Sequence, residues 1–130
     1  MKILLDTQCW LWWIAAPEKL GQSARRRIAD RRNTVYLSAA SSWEIAIKYS
    51  IGKLPLPEPP IQFIPKRLAR DAITALPIEI THTLYVAVLP PHHKDPFDRI
   101  LISQSINEDI PIMTVDKQFE LYEANIILAG

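Results

Sequence analysis

Residues 95–116 read DPFDRILISQSINEDIPIMTVD. Asp95 stands where a helix N-cap would, Pro96 suits a first helical position, and an acid at Asp98 is favoured by the helix dipole. These signals predict a helix over 96–109. PIMTVD (111–116) follows as a short, mostly apolar run and predicts a buried strand that ends on Asp116. A helix passing almost directly into a strand is half of a βαβ unit.

The same alternation runs outward along the chain. KILLD (2–6) predicts a buried strand, residues 8–15 a helix that is apolar nearly all round, and QSARRRIADRR (22–32) a second helix. TVYLS (34–38) is β-branched and aromatic, as strands prefer. SSWEIAIKYSIGK (41–53) predicts a helix stopped by Gly52 at its C′ position. A helix is expected within 60–71 around Pro65, a strand at ITALPI (73–78), and a short helix over 81–89 behind Thr81. PPHHK (90–94) reads as a loop, 117–123 as a short helix, and NIILA (125–129) as a final edge strand. Strands alternating with helices imply a mainly parallel sheet covered on both faces.

A chain of 130 residues suggests a single domain, 1–130, and 48% hydrophobic residues are enough for a packed core. Cys9 is the one cysteine, so a disulfide framework and a Cys-rich zinc site are both excluded, and a reducing cytoplasm is the expected compartment. MKILLDTQ carries Asp6 where a signal core would have to stay apolar. The longest apolar run, CWLWWIAA at 9–16, is far short of the roughly 20 residues a membrane helix needs. A net charge of +1 gives no global basic field for nucleic acid. LPLPEPP (54–60) reads as a stiff surface connection.

Four acids share one kind of place. Asp6 and Asp116 end predicted strands, while Glu44 and Asp98 lie in the first turns of predicted helices. In an open α/β sheet those positions fall on one edge, where ligands bind. Each acid also has a purely structural reading. Ser41 and Glu44 fit a capping box, and the aspartates can cap the helices that follow them. Together they are harder to explain that way, because two unit charges about 5 Å apart repel by about 3 kcal/mol at an effective dielectric of 20. A hard divalent cation, Mg²⁺ or Mn²⁺, would satisfy such an oxygen-only set.

The combination of ILLDT, SSWEIAIK followed by GKL, HHKDPFDRILISQS and TVD resembles the PIN-domain ribonucleases, and within them the VapC-type toxins of bacterial toxin–antitoxin pairs. The resemblance covers essentially the whole chain, in order. It implies a three-layer α/β/α sandwich around a parallel sheet. It implies endonucleolytic cleavage of RNA with Mg²⁺ or Mn²⁺, leaving a 5′-phosphate and a 3′-hydroxyl, and it implies a homodimer inhibited by a cognate antitoxin. Carried over by position, Asp6, Glu44, Asp98 and Asp116 are the catalytic, metal-holding acids. Asp95, Thr114 and Arg99 would support them without binding the ion. Ile102, Ser103 and Ser105 stand where the family usually has small residues, mostly alanine.

Arg25, Arg27 and Arg31, in the basic run of the second helix, are candidates for RNA phosphate contact, against the alternative of a solvated helix face. Lys66, Arg67 and Arg70 form a weaker candidate. Trp10, Trp12 and Trp13 divide between core and interface. His92 and His93 are expected to be solvated in their Pro-rich loop, and Cys9 to be core. Two other functions compete. A receiver- or phosphatase-type phosphoryl-transfer domain also places acids at strand ends, but the phosphatase pattern wants an acid at position 8, where Gln8 stands. A non-catalytic RNA- or protein-binding module would have no need of all four acids.

Overall fold

The computed structural model describes residues 1–130. Five strands form one parallel sheet: β1 (Lys2–Leu5), β2 (Thr34–Ser38), β3 (Thr74–Leu76), β4 (Ile112–Thr114) and β5 (Ile126–Leu128), in the order β3-β2-β1-β4-β5. Six helices cover it: α1 (Thr7–Ala15), α2 (Gln22–Ala29), α3 (Ala39–Ser50), α4 (Pro60–Asp71), α5 (Ile80–Tyr85) and α6 (Pro96–Glu108). The result is the expected α/β/α sandwich.

β1 is central because its residues can be buried on both sides. Ile3 and Leu5 point to one face, where they pack with Trp10 of α1, Ile28 of α2, Ile45 of α3 and Ile64 of α4. Leu4 points to the other, where it meets Leu101 and Ile102 of α6 and Phe119. Two cores therefore share one strand, as the period of two along a strand requires. The chain builds β1, β2 and β3 outward on one side, then crosses back to place β4 and β5 on the other. The crevice where this order reverses lies beyond the carboxyl ends of β1 and β4.

Several boundaries differ from the sequence reading, each with a local cause. α3 begins at Ala39, and its N-cap is Ser38, the last residue of β2. The Ser38 hydroxyl oxygen accepts from the Ala40 N–H at 3.0 Å and donates to Gln104 Oε1 of α6. The expected Ser41–Glu44 capping box does not form. Ser41 is buried and its hydroxyl oxygen accepts from Thr7 at 2.9 Å, and Glu44 falls in the second turn. α5 starts behind Glu79 instead of Thr81, since the Glu79 N–H donates to His82 Nδ1 at 2.9 Å. α2 stops at Ala29 because Asp30 accepts from both the backbone and the guanidinium of Arg32. Gly52 has φ +73°, as a C′ glycine needs. Residues 86–88 and 117–121 form single 3₁₀ turns. No helix is long and apolar enough to cross a membrane.

Ser38 and Gln104 are both buried, and Gln104 Nε2 donates onward to Pro77 O at 3.1 Å. Ser38→Ala removes a cap and strands the Gln104 carbonyl. It should lower unfolding free energy by about 1–3 kcal/mol, seen as a lower urea midpoint at unchanged slope.

Candidate metal centre

The four acids, drawn from residues 6 to 116, converge. Asp6, Glu44, Asp98 and Asp116 line one crevice of about 280 Å³ at the carboxyl ends of β1 and β4, with Asp95 as a fifth carboxylate. Lys48 is its cation, and no arginine lines it.

Asp6 reaches the crevice because β1 ends at Leu5 and Asp6 caps α1, its Oδ1 accepting from the Cys9 N–H at 2.7 Å. Its Oδ2 accepts from the Thr114 hydroxyl. The Thr114 oxygen in turn accepts from the Asp116 N–H at 3.0 Å, so this one side chain ties the ends of β1 and β4 together. Burial pushes the Asp6 carboxyl up, with the Thr114 and Cys9 hydrogen bonds pulling the other way and the Asp116 charge adding to the rise. The Cys9 thiol beside it is fully buried and is pushed up as well, chiefly by burial.

In KDPFDR the two aspartates divide the work. Asp95 caps α6, accepting from the N–H groups of Phe97 at 2.8 Å and Asp98 at 3.4 Å. Asp98, in the first turn, faces the crevice. Its carboxyl is pushed up to about 7 by burial and then by the charges of Asp95, Glu44 and Asp6, while His93 opposes the rise. Glu44 is buried, and the Lys48 ammonium donates to it at 2.6 Å. Asp116 caps the turn 117–121, with Oδ1 accepting from the Gln118 N–H at 2.9 Å. The other oxygen, Oδ2, is 2.8 Å from His93 Nε2.

His93 is the residue that the sequence reading placed wrongly. It is buried, not solvated, and packs between Tyr122 and Phe119. Arg99 also acts otherwise than as a neighbour of the acids. Its guanidinium donates to the carbonyls of Val86, Leu89, Pro90 and His93, at 2.9 to 3.3 Å, and so braces the segment that carries His93. Nothing in KDPFDR alone signals this, because the partners lie in the preceding loop. Arg25, Arg27 and Arg31 are outside the crevice. Arg25 and Arg27 are half-buried on α2, and Arg31 is exposed just before β2, at the amino end of the sheet and away from the acids. Trp10 is core, whereas Trp12 and Trp13 are half-buried. Trp13 Nε1 donates to Asp71 at 3.0 Å, and Trp12 lines a surface groove of about 500 Å³ with Leu54, Leu56 and Phe63.

As placed, no three His, Cys, Asp or Glu side chains are arranged to hold one ion. Lys48, Thr114 and His93 each engage a carboxylate oxygen. The donor chemistry nevertheless fits a hard divalent cation: the carboxylates are oxygen-only, crowded and partly desolvated, and two of them, Asp6 and Asp98, are pushed up chiefly by burial, with neighbouring carboxylate charges adding to the rise.

A sequence profile described as the PIN domain matches residues 3–125. Ribonuclease VapC16 of Mycobacterium tuberculosis is 46% identical over 61 residues, which are 47% of this chain and 43% of that one, so the match spans less than half of that relative. The crystal structure of VapBC2 from Rickettsia felis bound to a promoter DNA fragment has a chain that superposes over all of both chains with a TM-score of 0.76 at 16% identity. FitAcB from Neisseria gonorrhoeae superposes with a TM-score of 0.60 at 17% identity, over 97% of this chain and 96% of that one. At such identities the structural likeness is one of fold. With the profile spanning nearly the whole sequence, the chain belongs to the PIN domain family.

Proposed function

We propose that this chain is a metal-dependent endoribonuclease, the toxin of a toxin–antitoxin pair, hydrolysing RNA phosphodiester bonds in the crevice of Asp6, Glu44, Asp98 and Asp116. The observation that carries the reading is the convergence of these four acids at the switch point of the sheet, with Asp98 pushed up to about 7. VapC16 is named a ribonuclease, and that name supports the activity assigned here.

Asp6, Asp98 and Asp116, with Glu44, would hold Mg²⁺ or Mn²⁺. Bound there, such an ion supplies Lewis-acid polarisation of the phosphodiester and a nucleophilic water at neutral pH. The chain's own side chains do the rest. Thr114 fixes the Asp6 carboxylate, and Asp95 caps α6 so that Asp98 stays aimed inward. Lys48 balances Glu44 until a cation arrives, and is then a point charge for the phosphate backbone. Arg25 and Arg27 are the arginines retained as candidates for contact with more distant RNA phosphates.

A cognate antitoxin fits the groove beside Trp12 as partner, by its apolar lining and its nearness to the crevice, which shares Gln8 and Leu11 with it. A homodimer accords with the exposed apolar residues Ile80 and Leu84, one turn apart on α5, and Val88 in the 3₁₀ turn that follows. A cytoplasmic place belongs to the same reading, because its proposed substrate is RNA. Gln8, lining the crevice where a phosphatase would need its second acid, argues against the phosphoryl-transfer alternative.

Three measurements follow. Asp6→Asn and Asp98→Asn should each abolish Mn²⁺-dependent RNA cleavage while keeping the far-ultraviolet spectrum of the parent; cleavage retained by either pure variant overturns the assignment.

The second is a pH titration of stability in EDTA. Asp98 has a folded value of about 7 against an ordinary 3.8, so the folded chain keeps a proton that the unfolded chain has released. Its contribution to stability is full below about pH 4 and is lost as pH rises through about 7. Asp98→Asn should therefore gain on the parent in urea melts across that window, and parallel curves would contradict the shift.

The third separates the aspartates of KDPFDR. Asp95→Ser keeps a cap and should retain most cleavage and Mn²⁺ affinity. Asp95→Ala should lose about 0.5–2 kcal/mol of stability. Asp98→Ser should lose cleavage and Mn²⁺ affinity at little cost in stability. If Asp95→Ser loses Mn²⁺ binding and Asp98→Ser keeps it, the ligand is Asp95.

A further inference from the structure

We propose that His93 is a positioning residue for Asp116: its imidazole, enclosed by Tyr122, Phe119 and the segment braced by Arg99, holds the Asp116 carboxylate in the orientation that serves the ion. The proposal rests on the metal-dependent reading given above.

Its starting point is an asymmetry between the acids at the ends of β1 and β4. Asp6 is buried and held on both oxygens, by the Cys9 N–H and the Thr114 hydroxyl. Asp116 sits on a short 3₁₀ turn with its side chain 40% exposed, and one local bond, from the Gln118 N–H, is all its own turn provides. That bond holds one oxygen and leaves Oδ2 without a restraint from the turn itself. The second restraint comes from His93, whose side chain is only 6% exposed. Its Nε2 lies 2.8 Å from Asp116 Oδ2, and its Nδ1 lies 3.0 Å from the Tyr122 hydroxyl.

A carboxylate only accepts, so Nε2 carries the proton that bridges to Asp116. In the neutral ring Nδ1 is then the acceptor, and the Tyr122 hydroxyl donates to it, which fixes the tautomer. The ring stacks on Tyr122 at 5.5 Å and 28° and meets the Phe119 edge at 4.9 Å and 89°. Arg99 donates to the His93 carbonyl and to three carbonyls of the preceding segment, so the backbone is fixed as well as the ring. An imidazole tied at both nitrogens and shut from solvent is built to orient its neighbour. Partners of metal-ligating groups commonly affect ion affinity in this way.

The test uses the full chain, purified free of metal, with His93→Asn, His93→Gln and Tyr122→Phe. The Gln amide N–H can occupy the place of Nε2, whereas Asn can reach only the place of Nδ1. Mn²⁺ affinity is measured by calorimetry, cleavage of RNA as kcat and KM separately, and folding by melting in EDTA. His93→Asn should weaken Mn²⁺ binding about 10- to 100-fold and lower kcat more than it alters KM, and His93→Gln should recover most of both. Tyr122→Phe keeps the stack and should show a smaller loss of the same kind. It decides the matter should His93→Asn fail to fold, and an affinity equal to the parent's then overturns the proposal. Parental Mn²⁺ affinity in His93→Asn, or a Gln variant no better than Asn, also overturns it. A parent chain that binds no Mn²⁺ overturns the metal reading itself, and this proposal with it.

Discussion

The carboxyl edge of this protein depends on how β4 is laid against β1. The Leu4 N–H donates to Pro111 O at 2.8 Å and the Asp6 N–H to Met113 O at 3.0 Å, and this register sets Leu5 opposite Met113. Thr114 is then one residue further along, within reach of Asp6, and Asp116 lies just past the strand end. A slip of one residue would turn Thr114 outward and the apolar side chains of β4 to the wrong faces. The register is held because Ile112 and Met113 are fully buried in opposite cores. Packing deep in the sheet thus decides where two carboxylates meet at its rim.

The same edge works against stability. Like charges gather where water is partly excluded, which pushes the Asp6 and Asp98 carboxyls up, chiefly by burial, and the chain sets small local counterweights against them. Lys48 faces Glu44 one helical turn away, and helix or turn N-termini receive Asp6, Asp95 and Asp116. Arg99, the cation adjacent in sequence to Asp98, is directed instead at backbone carbonyls. The protein therefore leaves the crevice short of positive charge, the condition under which an arriving cation is bound most favourably.

Much of this was legible in the sequence, and the limits of legibility are physical. Asp95 as cap and Asp98 as inward acid follow from local rules, since a cap and its N–H partners are neighbours in the chain. Asp6 and Asp116 follow from strand ends, because parallel topology forces those ends onto one edge. Ser41 as the cap of α3 did not hold. The competing cap, Ser38, is chosen by Gln104, which is 66 residues away. His93 was hidden for the same reason: a Pro-rich loop with two histidines looks solvated until Tyr122 and Phe119, more than 25 residues later, close over one of them. The sequence predicts one helix over 22–32 that offers Arg25, Arg27 and Arg31 to RNA phosphates, but α2 ends at Ala29, and Arg31 falls in the turn just before β2. Composition identifies such residues, and tertiary contact decides their role.

Cys9 shares a turn with Asp6, and its sulfur is entirely enclosed. A thiol that ionises only at high pH and has no access to solvent is inert toward alkylating reagents and peroxide while the fold is intact. It is also the chain's single thiol. Its labelling rate therefore records, with no engineered probe, how often the packing around the start of α1 opens. Because the Cys9 N–H holds the Asp6 carboxylate, an opening that exposes the thiol also frees one acid of the crevice, and the cysteine works as a native gauge of it.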